Sequence, residues 1–463
     1  MRRGRILAIV LALGLVAAAC GGTADTTTTA PQRPTTTAGG GEVTTTTTGA
    51  QTGIETGIGV DPATMTIKLG ALRDLSSGIF SPLVIDINDA MAVYFDTLNA
   101  GGGIDGWMID YIDDTEYAED AYQEKYEELR DEVLALTVST GGPTTVPMLD
   151  SMAEDNMTFI PVSWYSGWAI PEFDGGLALE MNTNYCIEAM NLLEFIRDSG
   201  GQTIALATHP SVYGFDAAAG VDFGAAFYGM DIVYDGRGAV IPGQDLTDVV
   251  TGIAESGAEW VFVAIDSGSL ATLLKESDDA GYRGMWIGSS PSYLHQSLAD
   301  PEVGPLLDEF YYQSAYNVPW GSDAPGQQTM AEAMRAVGPN RAPSDSFIVG
   351  WNHAIIMHRV LADAIAAGDL TRAGVAGAVS ALTGVDFLGT APDQSYAGSP
   401  NEYVTRQTAI FKPDLETFTA AGGLEQTISQ EDATTGSVLV QDFFVSDAAD
   451  ALIFDGPCYR APS

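Results

Sequence analysis

From residue 65 to residue 287 the chain alternates short apolar runs with segments of helical periodicity, and this alternation constrains the fold more than any other feature. Residues 65–72 (MTIKLGAL) read as a strand, and 82–98 places Leu83, Ile87, Ala90, Met91, Tyr94 and Phe95 on one helical face. Further strands are predicted at 107–113, 133–138, 158–162, 203–208, 230–234, 260–265 and 285–287. Between them, helices are predicted at 118–131, 144–155, 185–198, 214–228, 246–256 and 269–280. Strand–helix–strand units cross over right-handedly and build parallel sheets covered on both faces. A body of roughly 400 residues exceeds what one hydrophobic core supports, so the expected class is α/β with two doubly wound parallel-sheet lobes.

The ends of the chain have a different character. Arg2, Arg3 and Arg5 precede the apolar run 6–19, which is short for a membrane span and ends in Ala17-Ala18-Ala19-Cys20. This resembles a bacterial lipoprotein signal, which implies a signal peptide over 1–19 and a lipid carried by Cys20. Residues 23–52 are dominated by threonine and hold almost nothing apolar, so 20–64 is expected to be a disordered tether. The formal net charge of −43, with lysine only at Lys68, Lys125, Lys275 and Lys412, excludes a nucleic-acid partner, because phosphate contacts need basic stripes. A solvated acidic shell accounts for the charge. With Cys20 set aside, Cys186 and Cys458 remain in an oxidising compartment, either as a disulfide or as two buried thiols.

The segments IKLGALRDLSSG, LNAGGGIDGWMIDYIDDTEYAEDAYQ and AESGAEWVFVAIDSGSLATLLKESDDAGYRGMWIGSS, in that order, resemble the substrate-binding proteins of ABC importers in the branched-chain amino acid (Leu/Ile/Val-binding) family. The resemblance runs from about residue 65 to residue 316 and implies the type I periplasmic-binding-protein fold, with two lobes joined by a three-strand hinge. It places lobe 1 over 65–183 and 317–384, and lobe 2 over 184–313 and 396–463. Cys186 and Cys458 then share a lobe, which favours the disulfide. The region 386–463 is longer than the family's usual tail and reads as a decoration of lobe 2, with strands at 407–412 and 437–445.

In open α/β sheets ligands bind beyond the carboxyl ends of strands. That rule selects three loops in lobe 1. They contain Ser76 and Ser77, then Thr144 and Thr145 after Gly141 and Gly142, then Ser163, Trp164 and Tyr165. Thr144 matches the family position whose hydroxyl receives a ligand carboxylate; alternatively it caps its own helix. Trp164 and Tyr165 stand where the family has small residues, and either narrow the cleft or pack the hinge. In lobe 2 the same rule offers His209, Tyr213, Asp266, Ser289 and Ser290. The resemblance implies an acidic partner for a ligand ammonium just after strand 285–287, but Gly288-Ser289-Ser290 has none. Asp266 is the candidate replacement; without it, an amide, a carboxylate or an aromatic acid fits better than an amino acid.

The implied function is capture of a small polar ligand (amino acid, amide or small carboxylate) between closing lobes and its delivery to ABC permease subunits. The expected form is a monomer, lipid-anchored on the outer face of the cytoplasmic membrane. The alternatives are a lipid-anchored receptor that feeds a sensor, and a secreted hydrolase. Against the hydrolase, no G-x-S-x-G elbow, H-E-x-x-H motif or phosphate loop occurs in the body, and the histidines are few (His209, His295, His353, His358). No metal site, cofactor or catalytic residue is expected.

Overall fold

The computed structural model describes residues 53–75, 79–113, 116–117 and 121–460. The signal peptide, Cys20, most of the tether, and Ser76 and Ser77 lie outside the described residues.

The first sheet is built on β1 (Thr66–Asp74), β2 (Met108–Ile112), β3 (Ala135–Thr140) and β4 (Phe159–Val162). These run parallel in the order β2-β1-β3-β4. Their crossovers carry α1 (Ser81–Ala100), α2 (Tyr122–Leu129), and a helical run broken into α3 (Gly142–Thr145), a 3-10 turn and α4 (Leu149–Glu154). One helix was expected over 144–155; Pro147, inside that span, lacks the N–H that a continuous helix needs. After β4 the short α5 (Pro171–Asp174) leads to the first passage between sheets.

The second sheet has β5 (Thr203–Thr208), β6 (Asp231–Gly236), β7 (Trp260–Ala264), β8 (Met285–Gly288) and β9 (Tyr311–Ala315), parallel in the order β6-β5-β7-β8-β9. The edge beyond β9 is completed by antiparallel β10 (Thr408–Pro413) and β11 (Ser437–Phe444). The late region thus extends the second sheet through the two strands its sequence indicates. Helices α6 (Tyr185–Asp198), α7 (Val212–Tyr228), α8 (Thr247–Ser256), α9 (Ser267–Asp279) and α10 (Gly304–Phe310) cover it. The chain then returns to the first sheet as α11 (Pro325–Val337), α12 (Ser346–Ala367) and α13 (Arg372–Ala381), before crossing a last time to β10.

Central strands are buried along their whole length, β3 and β7 at every residue, as parallel strands covered on both faces require. The helices pack closely where glycine allows it. A Cβ on Gly220 of α7 would sit 2.1 Å from the carbonyl oxygen of Cys186 on α6, so those helices approach only without a side chain there.

The tether ends earlier than expected. Residues 53–64 join the fold: Glu55–Thr56 pairs with Asp369–Leu370, and Val60–Asp61 runs antiparallel to β1. Ile54 and Val60 are partly buried against the main core, apolar anchors that composition averaged over the threonine tract conceals.

Cys186 and Cys458 form a disulfide that ties the C-terminal tail to the start of α6. The tail is also held by polar contacts: Cys458 N donates to Ser166 Oγ (2.9 Å), and Tyr459 N donates to Asp216 Oδ1 (3.2 Å).

Candidate functional site

A cavity of about 260 Å³ lies between the carboxyl ends of the two sheets. Its floor on the first sheet comes from the β3–α3 loop (Thr140 to Thr144) and the end of β4 (Val162, Ser163, Trp164). The amino end of α1 adds Ile79, Phe80, Leu83 and Val84. The second sheet supplies His209, Pro210, Ser211 and Tyr213 after β5, together with Tyr185, Pro242 and Pro291. Strand ends from both sheets therefore converge on one space, the placement expected of an open α/β ligand site.

An aromatic chain spans this space. Phe80 meets Tyr213 edge-on with centroids 6.2 Å apart, and Tyr213 lies 4.5 Å from Tyr185. Tyr185 is 6.2 Å from Trp164, which packs on Tyr316 at 4.9 Å. Phe80 and Trp164 belong to the first half, Tyr213 and Tyr185 to the second, so apolar rings join the halves. The Tyr213 hydroxyl is engaged with Ser292 Oγ at 3.0 Å, and burial pushes its ionisation well up.

Polar groups are few. Gly141 takes the left-handed backbone (φ +82°) that turns the chain into α3, and its N–H donates to Val162 O. The Thr144 hydroxyl donates back to the carbonyls of Thr140 and Gly141, so its proton is committed inside the turn. Thr144 lines the wall without capping its helix: Gly141 is the N-cap, and no side chain caps α3. Among the described residues of the wall none is Asp, Glu, Lys or Arg.

Sequence and structure part company at several candidates. Thr144, Ser163, Trp164 and Tyr213 are brought together in the wall. Thr145 is fully buried behind it, its hydroxyl 2.7 Å from Ser139 Oγ. Tyr165 points away, donating to Tyr459 O at 2.6 Å, because neighbours in extended backbone face opposite sides. Asp266 is the N-cap of α9, accepting from Gly268 N and Ser269 N at 3.0 Å each, and its amide donates to His209 Nε2. Burial opposes its charge, but His209 and Ser269 hold the carboxyl at about 2. It does not line the cavity and supplies no ammonium partner there. Ser290 faces a smaller cavity of about 70 Å³ beside Trp164 and Tyr316.

Sequence reasoning missed the apolar residues Ile79, Leu83 and Val84, and Tyr185. It also missed Glu188. This carboxylate accepts from Ser289 Oγ (2.6 Å) and Ser290 N (2.8 Å), so an acid does stand after β8, supplied by α6. Burial, opposed by those bonds, pushes Glu188 up to about 7, and it is consumed inside the second half. Among the described residues no group of three or more His, Cys, Asp or Glu is placed to hold a metal ion, and no helix is long and apolar enough to cross a membrane.

Comparison with known proteins agrees with this architecture. The model of the family described as periplasmic binding protein matches residues 66–412. A fatty acid ABC transporter substrate-binding protein from Thermomonospora curvata is 25% identical at a TM-score of 0.75, over 87% of this chain and 97% of that one. A branched chain amino acid ABC transporter protein from Thermus thermophilus with bound valine is 19% identical (TM-score 0.65, covering 83% and 97%). A solute-binding protein from R. palustris in complex with benzoate is 14% identical (TM-score 0.64, covering 83% and 99%). A search of curated protein sequences finds no match. The type I periplasmic-binding-protein fold is thereby shown.

Proposed function

The chain belongs to the periplasmic binding protein family, and on that premise we propose that it is the lipid-anchored solute receptor of an ABC importer, selective for a monocarboxylic acid with an apolar body. The observation that carries the ligand class is the cavity wall. Its lining is hydrophobic and aromatic, and its described residues offer no acid to an α-ammonium. Burying an ammonium there without a partner would cost several kcal/mol. A carboxylate has somewhere to go. The first turn of a helix leaves its N–H groups without intrahelical partners, and Gly142 and Thr144 stand at that turn. The apolar body of the ligand would fill the space between Leu83, Val84, Trp164 and Tyr213. At about 260 Å³ the cavity sits near the small end of ligand sites, so a short or compact acid fits best. The fatty acid and benzoate receptors among the structural relatives support this reading more than the valine receptor does.

Ligand that touches both halves stabilises the closed form by its differential affinity, and a permease then reads that closed shape. The family places such proteins outside the cytoplasm, where Cys20 would keep the receptor at the membrane.

A calorimetric titration of octanoate, benzoate, leucine and valine tests the assignment. The acids are expected to bind and the amino acids not; binding of leucine or valine but neither acid would sink the proposal. On binding, the Thr144 hydroxyl would turn from the Thr140 and Gly141 carbonyls to donate to the carboxylate, and Thr144→Val should then weaken acid binding by about 1–3 kcal/mol, the scale of a lost hydrogen bond to a charged group. Unchanged affinity would remove Thr144 from the site.

A further inference from the structure

A second cavity of about 280 Å³ shares no wall residue with the first. It lies among the segment 168–180 that follows β4, the end of α13, and the passage 394–405 leading to β10. Two carboxyl groups stand in its wall. Asp174, 2% exposed, accepts from Gly176 N (2.8 Å) and Ala178 N (2.9 Å). Glu180, 5% exposed, keeps Oε1 buried and without a hydrogen-bond partner.

Three polar donors nearby are already committed. The Tyr396 hydroxyl donates to the main-chain oxygen of Glu180 (2.6 Å), and Gln394 Nε2 donates to the same oxygen (2.7 Å). The Tyr403 hydroxyl donates to Ala169 O (2.7 Å). What the wall still presents is acceptors: a carboxylate oxygen and phenolic lone pairs. No Lys, Arg or His is among its described residues. With no counter-charge in the wall, burial raises both acids, Glu180 well above its ordinary range and Asp174 to about 7, so they hold their protons until an entering cation supplies that counter-charge and ionises them.

Trp168, Tyr396, Tyr403, Leu177, Val379 and Val404 share the enclosure with the polar Asn156, Ser380, Gln394, Ser395 and Thr405. A hard metal ion prefers six or more oxygen ligands, and two carboxylates, one of them with both oxygens already accepting from backbone amides, serve it poorly. A carboxylate with aromatic rings suits an organic cation, which gains both ion pairing and attraction to the ring faces. We propose that this cavity is a second ligand site, taking a small protonated amine whose N–H groups are received by Glu180 and Asp174. Glu180 lies just before the first passage between sheets, and Asn182 N donates to Gln394 Oε1 on the last one. The amine would therefore bind against the crossing segments.

Titration of the intact protein with n-butylammonium chloride tests the site, with 1-pentanol and potassium chloride at matched ionic strength as controls. Butylammonium is expected to bind equally well with and without octanoate, and pentanol and potassium not to bind. Glu180→Gln should weaken butylammonium at least tenfold; should that variant not fold, Asp174→Asn carries the same test with a smaller loss. Absence of butylammonium binding, unchanged affinity in the variants, displacement by octanoate, or equal binding of pentanol or potassium would each overturn the proposal.

Discussion

The cleft between the two halves and the cavity behind the first one are close in size, about 260 and 280 Å³, and opposite in chemistry. The cleft gathers Phe80, Trp164, Tyr185 and Tyr213 and, among its described residues, no Asp, Glu, Lys or Arg. The rear cavity gathers Asp174 and Glu180, next to the buried Asp216 that holds the C-terminal tail. In a chain with 62 acidic residues, a binding wall with no Asp or Glu among its described residues is informative. Carboxylates occupy the shell and the rear and are absent from the described wall of the cleft. The contrast teaches that the overall charge of such a protein says little about its ligand.

The contrast can be broken in three ways. The largest expected effect lies at the rear. Replacing Cys186 and Cys458 by Ala opens a span of 272 residues and should cost about 2–5 kcal/mol of stability, with octanoate affinity unchanged. A loss of affinity of comparable size would mean that the tail shapes the cleft.

Next comes pH. Burial raises Asp174, Glu188 and Asp216 to about 7, and Asp86 to about 6. A raised carboxyl pKa means that the folded state holds the proton longer than the unfolded state does. Stability from these groups is therefore complete below the unfolded pKa and falls as pH rises from about 4 to 7, by up to about 1.4 kcal/mol per pH unit for each group. Glu180 behaves alike, so Glu180→Gln should match the wild type at pH 4 and exceed it at pH 8 in chemical denaturation. Stability that instead rises across this range would show that these carboxyls are ionised in the folded protein.

The smallest effect separates capping from binding. Asp266→Ala should lower stability by about 1 kcal/mol, the usual loss of an N-cap, and leave acid selectivity untouched. A change in the preference between benzoate and leucine would instead put Asp266 in reach of the ligand.

The fold was legible because a parallel sheet covered on both faces writes itself as apolar runs separated by amphipathic ones. Residues 203–208 and 185–198 were placed to the residue. The site was legible only in part. Strand-end loops are local features, so the region of Thr144 and Ser163 could be chosen from the chain alone. Which of Trp164 and Tyr165 faces the cleft depends on the phase of an extended segment, set by packing far away in sequence. Leu83 and Val84 sit in a helical pattern that reads as core, and only the approach of Pro210 and Pro291 from the other half turns them into a wall. Asp266 looked like a site residue because a helix cap and a ligand group both stand at strand ends. Glu188 was invisible because the serines it serves are 101 and 102 positions away.

The bond between Cys186 and Cys458 has a consequence for life outside the cytoplasm. It closes most of the second half and the whole return through α11, α12 and α13 into one covalent loop. A protease that nicks the chain once anywhere inside that loop releases nothing: both pieces remain joined, and the receptor keeps its parts in place. Two cuts are needed before any fragment can leave.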